Sequence, residues 1–368
     1  MTVQTMVYCA SAVACAFLFS YLLTPAVRAL AYRIRAVDIP KDDRRMHQKP
    51  MPLIGGLAVY ISFSLTMFLF AEIDSELCAI WTGGTILIIL GLLDDVYDLN
   101  PWIKLAFQIV AAVCAIAEGV VVREVFLFSG YVELGWLAYP LTVLWIVALV
   151  NAFNLLDGLD GLSSGVCAIS CVALALVALL YENIAIALLA AVLFGACLGF
   201  LPYNFHPARI FIGDTGAYFL GFVLAVISIS GVFKISAVIS FLLPVVIFAL
   251  PLFDTVLAFF RRVIHGRAPF VGDKKHLHHR LIELGLSQRH AVLVMYAVSG
   301  LFGLLAVIFT DRIMLTERLL KSFVLITAVI IICIVDFLVL WKNRQRGDKT
   351  ENEKTANEEE TDEKCSNS

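Results

Sequence analysis

Asp94-Asp95-Val96-Tyr97-Asp98 places three carboxylates at the end of an apolar run, Ile86 to Leu93. A charge at the centre of a bilayer costs about 2.5–3.5 kcal/mol on insertion scales. Such acids either stand in water at the membrane edge or share a cation. Four more polar clusters punctuate the apolar stretches. One is His47-Gln48-Lys49-Pro50 with Gly55-Gly56. Another is Asn151-x-x-Asn154-x-x-Asp157-Gly158-x-Asp160-Gly161. A third runs from Asn204-x-His206-Pro207-x-Arg209 into Ile212-Gly213-Asp214-Thr215-Gly216. The last is Asp273-Lys274-Lys275-His276-Leu277-His278-His279-Arg280. Carboxylates, amide oxygens and water are hard ligands suited to Mg²⁺ or Mn²⁺, and no thiol cluster competes for a softer metal. Basic and histidine side chains supply donors for anionic oxygens. Acids, a hard cation and phosphate binders together point to phosphoryl transfer. Singly, each cluster also fits a plainer role: solvated acids, a polar helix break, a turn with a helix N-cap, or surface histidines.

The elements that must position these residues are membrane helices. The chain is 61% hydrophobic and 15% charged, against about 25% charged in a soluble domain. That excludes an ordinary soluble protein. The nine cysteines are scattered without metal spacing and read as small core residues. About twenty apolar residues span a bilayer. Eleven segments qualify: 5–27, 53–71, 77–93, 102–121, 137–152, 162–181, 184–202, 215–232, 236–260, 291–310 and 319–341. The expected fold is therefore an all-α integral membrane protein of about eleven transmembrane helices. Residues 122–136 read as a short outside hairpin or amphipathic piece.

Residues 1–341 form one polytopic domain in this reading. Residues 342–368 alternate Lys, Glu, Asp and Asn and read as a disordered cytoplasmic tail. The first span has no basic residue before it and is followed by Arg28, Arg33 and Arg35. That reverses the charge order of a signal peptide and implies an anchor with its N-terminus outside. The loops after odd-numbered spans then hold most of the 27 basic residues, as the positive-inside rule requires. The C-terminus is cytoplasmic. All five polar clusters share that face, which implies one composite site. No nucleic-acid partner is expected.

At these clusters the chain resembles the polyprenyl-phosphate N-acetylhexosamine-1-phosphate transferases. The resemblance covers roughly residues 5–340. It rests on Asp94 to Asp98, Asn151 to Gly161, Pro207-Ala208-Arg209-Ile210-Phe211-Ile212-Gly213-Asp214-Thr215-Gly216, and His276-Leu277-His278-His279-Arg280. The His-Leu-His-His form is similar to the branch using UDP-N-acetylglucosamine (UDP-GlcNAc). The phospho-MurNAc-pentapeptide branch usually has three successive histidines and is the alternative.

The resemblance implies residue roles. Asp214 would bind Mg²⁺, helped by Asn154. Asp94 and Asp95 would contact the metal or deprotonate the lipid phosphate, and Lys104 would bind that phosphate. Phe211 would stack on uracil, with Asn204 and Asp160 nearby; Lys49 would serve the nucleotide. His276, His278, His279 and Arg280 would hold the pyrophosphate or sugar. Asp98 and Asp157 would join or shape the catalytic group. The implied partners are a UDP-N-acetylhexosamine and undecaprenyl phosphate in a bacterial inner membrane, and a homodimer stays open. The implied reaction starts cell-envelope polysaccharide synthesis on a lipid carrier. A secondary transporter with intramembrane acids such as Asp254 and Asp336 is the rival class; each of these also fits an Asp bonded to neighbouring helices.

Overall fold

The computed structural model describes residues 3–39, 50–127, 130–233, 242–264 and 276–310. The N-terminal half runs α1 (Val3–Ile34), β1 (Val37–Asp38), β2 (Met51–Pro52), α2 (Gly56–Phe70), α3 (Ser75–Tyr97) and α4 (Pro101–Ala117). A hairpin of β3 (Glu124–Leu127) and β4 (Gly130–Glu133) leads to α5 (Ala138–Leu156). Then come α6 (Leu162–Leu180), α7 (Ile184–Asn204), α8 (Gly213–Ser228), α9 (Leu242–Ile247), α10 (Ala249–Ile264), α11 (Leu277–Glu283) and α12 (Gln288–Ile308). The two β ladders are antiparallel and two-stranded. Everything else of weight is helical.

Seven described helices are long and apolar enough to cross a membrane. The chain is a multi-pass membrane protein. Expected spans 53–71 and 102–121 correspond to shorter apolar helices of 15 and 17 residues. Residues 122–136 contain the expected hairpin. Within segment 236–260 the residues from 242 on form two helices rather than one. The break falls between α9 and α10 after Ile247. Pro251 lies four residues on; it lacks the N–H that Ile247 would need, and its ring crowds that carbonyl. The expected span 319–341 and the tail 342–368 lie outside the described residues.

Four helix starts are capped by the side chain of the residue before them. Asp74 accepts from Leu77 N–H at 2.8 Å, and Asn100 accepts from Trp102 N–H at 2.9 Å with Pro101 next in line. Asn183 and Ser287 do the same for α7 and α12. These are standard N-cap residues, each worth about 1 kcal/mol. Helix α8, like α2, α5, α6 and α11, finds no side-chain cap in the residue before it.

Helix α8 is also the buried centre. Its most apolar window is 94% buried, against 17% to 72% for the other membrane-length helices. It packs on α3, α5 and α2. Close approach depends on the absence of side chains. A Cβ on Gly56 would fall 2.0 Å from Gly216 Cα, and one on Gly91 would fall 2.3 Å from Thr215 Cα. Both obstacles are backbone, which cannot step aside as a side-chain tip would. Overpacking of this kind costs typically about 1–3 kcal/mol. Gly91→Ala should therefore lower the melting temperature in detergent by several degrees. Gly300→Ala, whose nearest neighbour would lie at 4.0 Å, should leave it unchanged. Equal melting of both variants would refute the packing argument.

Candidate active site

A cavity of about 1030 Å³ opens where α3 and α5 end and α8 begins, with α11 alongside. That is at the upper end of small-molecule pockets. Its lining includes Asp94, Asp95, Asp98, Asp157, Asp160, Asn204, Phe211, Asp214 and His279. Residues from four distant clusters thus meet in one place.

The floor is built on α8. Asp95, near the end of α3, accepts from Asp214 N–H at 2.9 Å, Thr215 N–H at 3.2 Å and the Thr215 hydroxyl at 2.6 Å. This carboxylate from another helix supplies the missing cap, and its charge suits the positive helix end. The preceding turn needs Gly213, which has φ of +68° and presses on the Leu53 carbonyl.

Asp94, one residue earlier, serves a different set. Its Oδ2 accepts from the Tyr218 hydroxyl at 2.7 Å and pairs with Lys104 Nζ at 2.8 Å. Its Oδ1 accepts from Leu99 N–H at 2.9 Å. Lys104 reaches from the first turn of α4 and lies 4.0 Å from Asp214 Oδ2. Asp214 Oδ1 accepts from Asn154 Nδ2 at 2.6 Å. The Asp94 and Asp214 carboxylates are within hydrogen-bonding reach of each other. Two carboxylates that close cannot both stay charged cheaply without a cation or proton. Below this group, the Asn151 amide donates to Gln108 Oε1 at 2.7 Å and locks α5 to α4.

The walls come from the loops. Asp157 accepts from the Ser163 hydroxyl at 2.6 Å. Burial pushes its carboxyl up to about 7, and neighbouring Asp95 and Asp160 add to the rise against the hydrogen bonds from Ser163 and Gly213. Asp160 Oδ2 meets His206 Nδ1 at 2.8 Å and accepts from Ala208 N–H at 3.1 Å. Asn204 is buried; its amide donates to Ile210 C=O at 3.1 Å and its oxygen accepts from Ser164 at 2.8 Å. It holds the loop that carries Phe211. Gly55 N–H donates to Phe211 C=O, and Phe211 N–H to Pro52 C=O.

The remaining expected residues are placed less uniformly. Asp98 caps α3 in a left-handed conformation and stands exposed at the rim. His276 and His278 are buried behind the wall, and neither is among the lining residues. Burial holds the His278 imidazole down at about 4, so it is neutral. Arg280 is exposed and does not line the cavity. Lys49 lies outside the described residues.

Tyr218, Thr215, Ser163 and His206 had no assigned part. Tyr218 follows Asp214 by four residues, a spacing that puts both on one helix face. That signal was available.

Comparison with known proteins agrees with this architecture. Residues 77–232 match the model of glycosyl transferase family 4. A Bacillus subtilis protein named probable undecaprenyl-phosphate N-acetylglucosaminyl 1-phosphate transferase is 41% identical over 292 residues, 78% of this chain and 81% of its own. The chain belongs to glycosyl transferase family 4. The decaprenyl-phosphate N-acetylglucosaminephosphotransferase of Mycolicibacterium smegmatis is 36% identical over 330 residues, covering 80% and 81% of the two chains. An Escherichia coli K12 relative, undecaprenyl-phosphate alpha-N-acetylglucosaminyl 1-phosphate transferase, is 27% identical over 303 residues, 79% and 81% of the two chains. The family 4 match takes in Asp94, Lys104, Asn154 and Asp214, the whole cavity floor.

Two tests follow from the floor and wall. Asp95→Ala removes three hydrogen bonds to a charged cap, so it should cost about 1–3 kcal/mol and lower the melting temperature. An unchanged melting temperature would remove Asp95 from that role. For Asp157 the folded value of about 7 lies above the ordinary 3.8. The proton is held more tightly in the folded state, so this contribution is complete below about pH 4 and is lost as pH rises through about 7. Melting measured from pH 4 to 8 with EDTA should decline, and Asp157→Asn should flatten the decline.

Proposed function

We propose that this family 4 enzyme transfers N-acetylglucosamine-1-phosphate from UDP-GlcNAc to undecaprenyl phosphate and releases UMP. The observation that carries this reading is the meeting of Lys104, Asp94 and Asp214 on the cavity floor. An ammonium there suits a lipid phosphate, and carboxylates beside it suit the cation a pyrophosphate brings. The names of the relatives supply the acceptor and sugar classes.

Among the described residues no three His, Cys, Asp or Glu side chains converge as a metal cage. Mg²⁺ rarely needs one; one or two carboxylates and substrate phosphates usually suffice. Asp214, with 31% of its side chain exposed, and Asn154 beside it fit that pattern. When bound there, the ion would neutralise charge on the pyrophosphate and the departing UMP.

The protein's own groups do the rest. Lys104 draws the lipid phosphate to the floor, beside the membrane surface of α4. Tyr218 and Leu99 N–H hold Asp94 in place beside it. An oxygen of that phosphate attacks the sugar-bearing phosphorus, and the bond to the UMP oxygen breaks. The nucleophile is already largely ionised near neutral pH, because its second pKa is near 6. Direct attack therefore needs no strong base, and no aspartyl-phosphate is required. Phe211 offers a face for uracil, and His279 lines the side left for pyrophosphate or sugar.

Charge distribution supports a site on the cytoplasmic face of the bacterial inner membrane, with the N-terminus outside and eleven spans in the full chain. A panel of UDP-sugars with undecaprenyl phosphate tests the activity. UDP-GlcNAc should give Mg²⁺-dependent UMP release and a lipid pyrophosphoryl-GlcNAc product. Asp214→Asn and Lys104→Ala should each lower kcat about 100-fold or more. Absence of UMP release with every UDP-sugar would sink the proposal in favour of transport.

A further inference from the structure

Asp254 lies on α10, behind the cavity wall and outside its lining. It is 8% exposed. A buried carboxylate costs stability that an apolar side chain of the same size would not, unless donors satisfy it. Both donors come from the histidine segment. Asp254 Oδ2 meets His276 Nδ1 at 3.0 Å, and Oδ1 accepts from Leu277 N–H at 3.0 Å. The second contact satisfies a free N–H at the start of α11, where His276 makes no side-chain cap. The first fixes the imidazole orientation and places the Nδ1 proton toward the carboxylate.

From His276 the contacts run on without a gap. Its ring stacks on His278 at 5.7 Å with 2° between planes, and His278 lies 4.3 Å from the His279 ring. His278 is 1% exposed and wedged against Gly158; a Cβ there would fall 2.3 Å from its Nε2. His279 and Gly158 both line the cavity. Three rings thus connect a carboxylate on α10 to two separate parts of the wall.

We propose that Asp254 is a positioning residue for the donor side of the site, acting through His276 and the start of α11 to set where His279 and Gly158 stand. It touches no substrate. The inference rests on the reading of this cavity as a UDP-sugar site. Its signature is a selective effect on the donor, with the lipid side at Lys104 and Asp94 untouched. It also predicts dependence on His279, because the influence of Asp254 reaches the donor by way of that ring.

The test is a double-mutant cycle in full-length protein with undecaprenyl phosphate, Mg²⁺ and UDP-GlcNAc. Asp254→Ala should raise KM for UDP-GlcNAc about tenfold, and KM for the lipid should stay within about twofold. In a His279→Ala background the same change should raise the donor KM by less than about twofold. Asp254→Asn, which keeps the shape and one acceptor, runs the same cycle and decides the matter if the alanine variant fails to fold. An unchanged donor KM overturns the proposal. So does an equal rise in both backgrounds, or an equal rise for donor and lipid, since each marks a general loss of structure. Inactivity of the unaltered protein with UDP-GlcNAc would instead count against the donor reading itself.

Discussion

One carboxylate holds the centre of this molecule together. Helix α8 begins with no cap of its own, and Asp95 supplies one from α3 through three hydrogen bonds. The first polar side chain of α8 is Asp214. Fastening the helix start to α3 therefore fastens Asp214 beside Asp94, the neighbour of Asp95 in the chain. Adjacent acids on one helix thus divide two tasks. One binds the fold, and the other lines the cavity and contacts Lys104 and Tyr218. The buried glycine contacts of α8 permit the approach, and the Asp95 cap sets its register.

The charges on the floor give this arrangement its chemistry. Among the described residues Lys104 stands against two carboxylates, whose mutual repulsion a proton or a further cation must relieve. Two phosphates brought there need further positive charge before they can approach each other. Under the proposed reaction, a divalent ion carried in with the pyrophosphate would meet that need.

Much of this was legible in the chain. Helices that are apolar all round announce membrane spans by length, and the polar clusters between them stand out against that background. The charge pattern of the loops put the clusters on one face, and residues of four of them line one cavity. The division of labour was not legible. Asp95 and Thr215 are 120 residues apart, and no local pattern says that one caps the other. Asp254 read as an acid bonded to neighbouring helices, which it is, but the identity of its neighbour, His276, comes only from the fold. Histidines 276 and 278 looked equivalent to 279, because spacing alone does not tell the ring at a cavity from the rings behind it. The break at Ile247 was written in the sequence at Pro251 and was masked by the greasy residues around it.

The glycine contacts beneath the floor have a consequence for how this enzyme can change. Where Gly56 meets Gly216 and Gly91 meets Thr215, any added atom meets main chain. At these points the cavity floor is consequently closed to gradual substitution. The rim has no such constraint: Asp98 is exposed there. Lineages that adopt a different sugar can alter the loops at the mouth while inheriting the floor intact. Efforts to re-engineer donor choice have the same narrow territory in which to work.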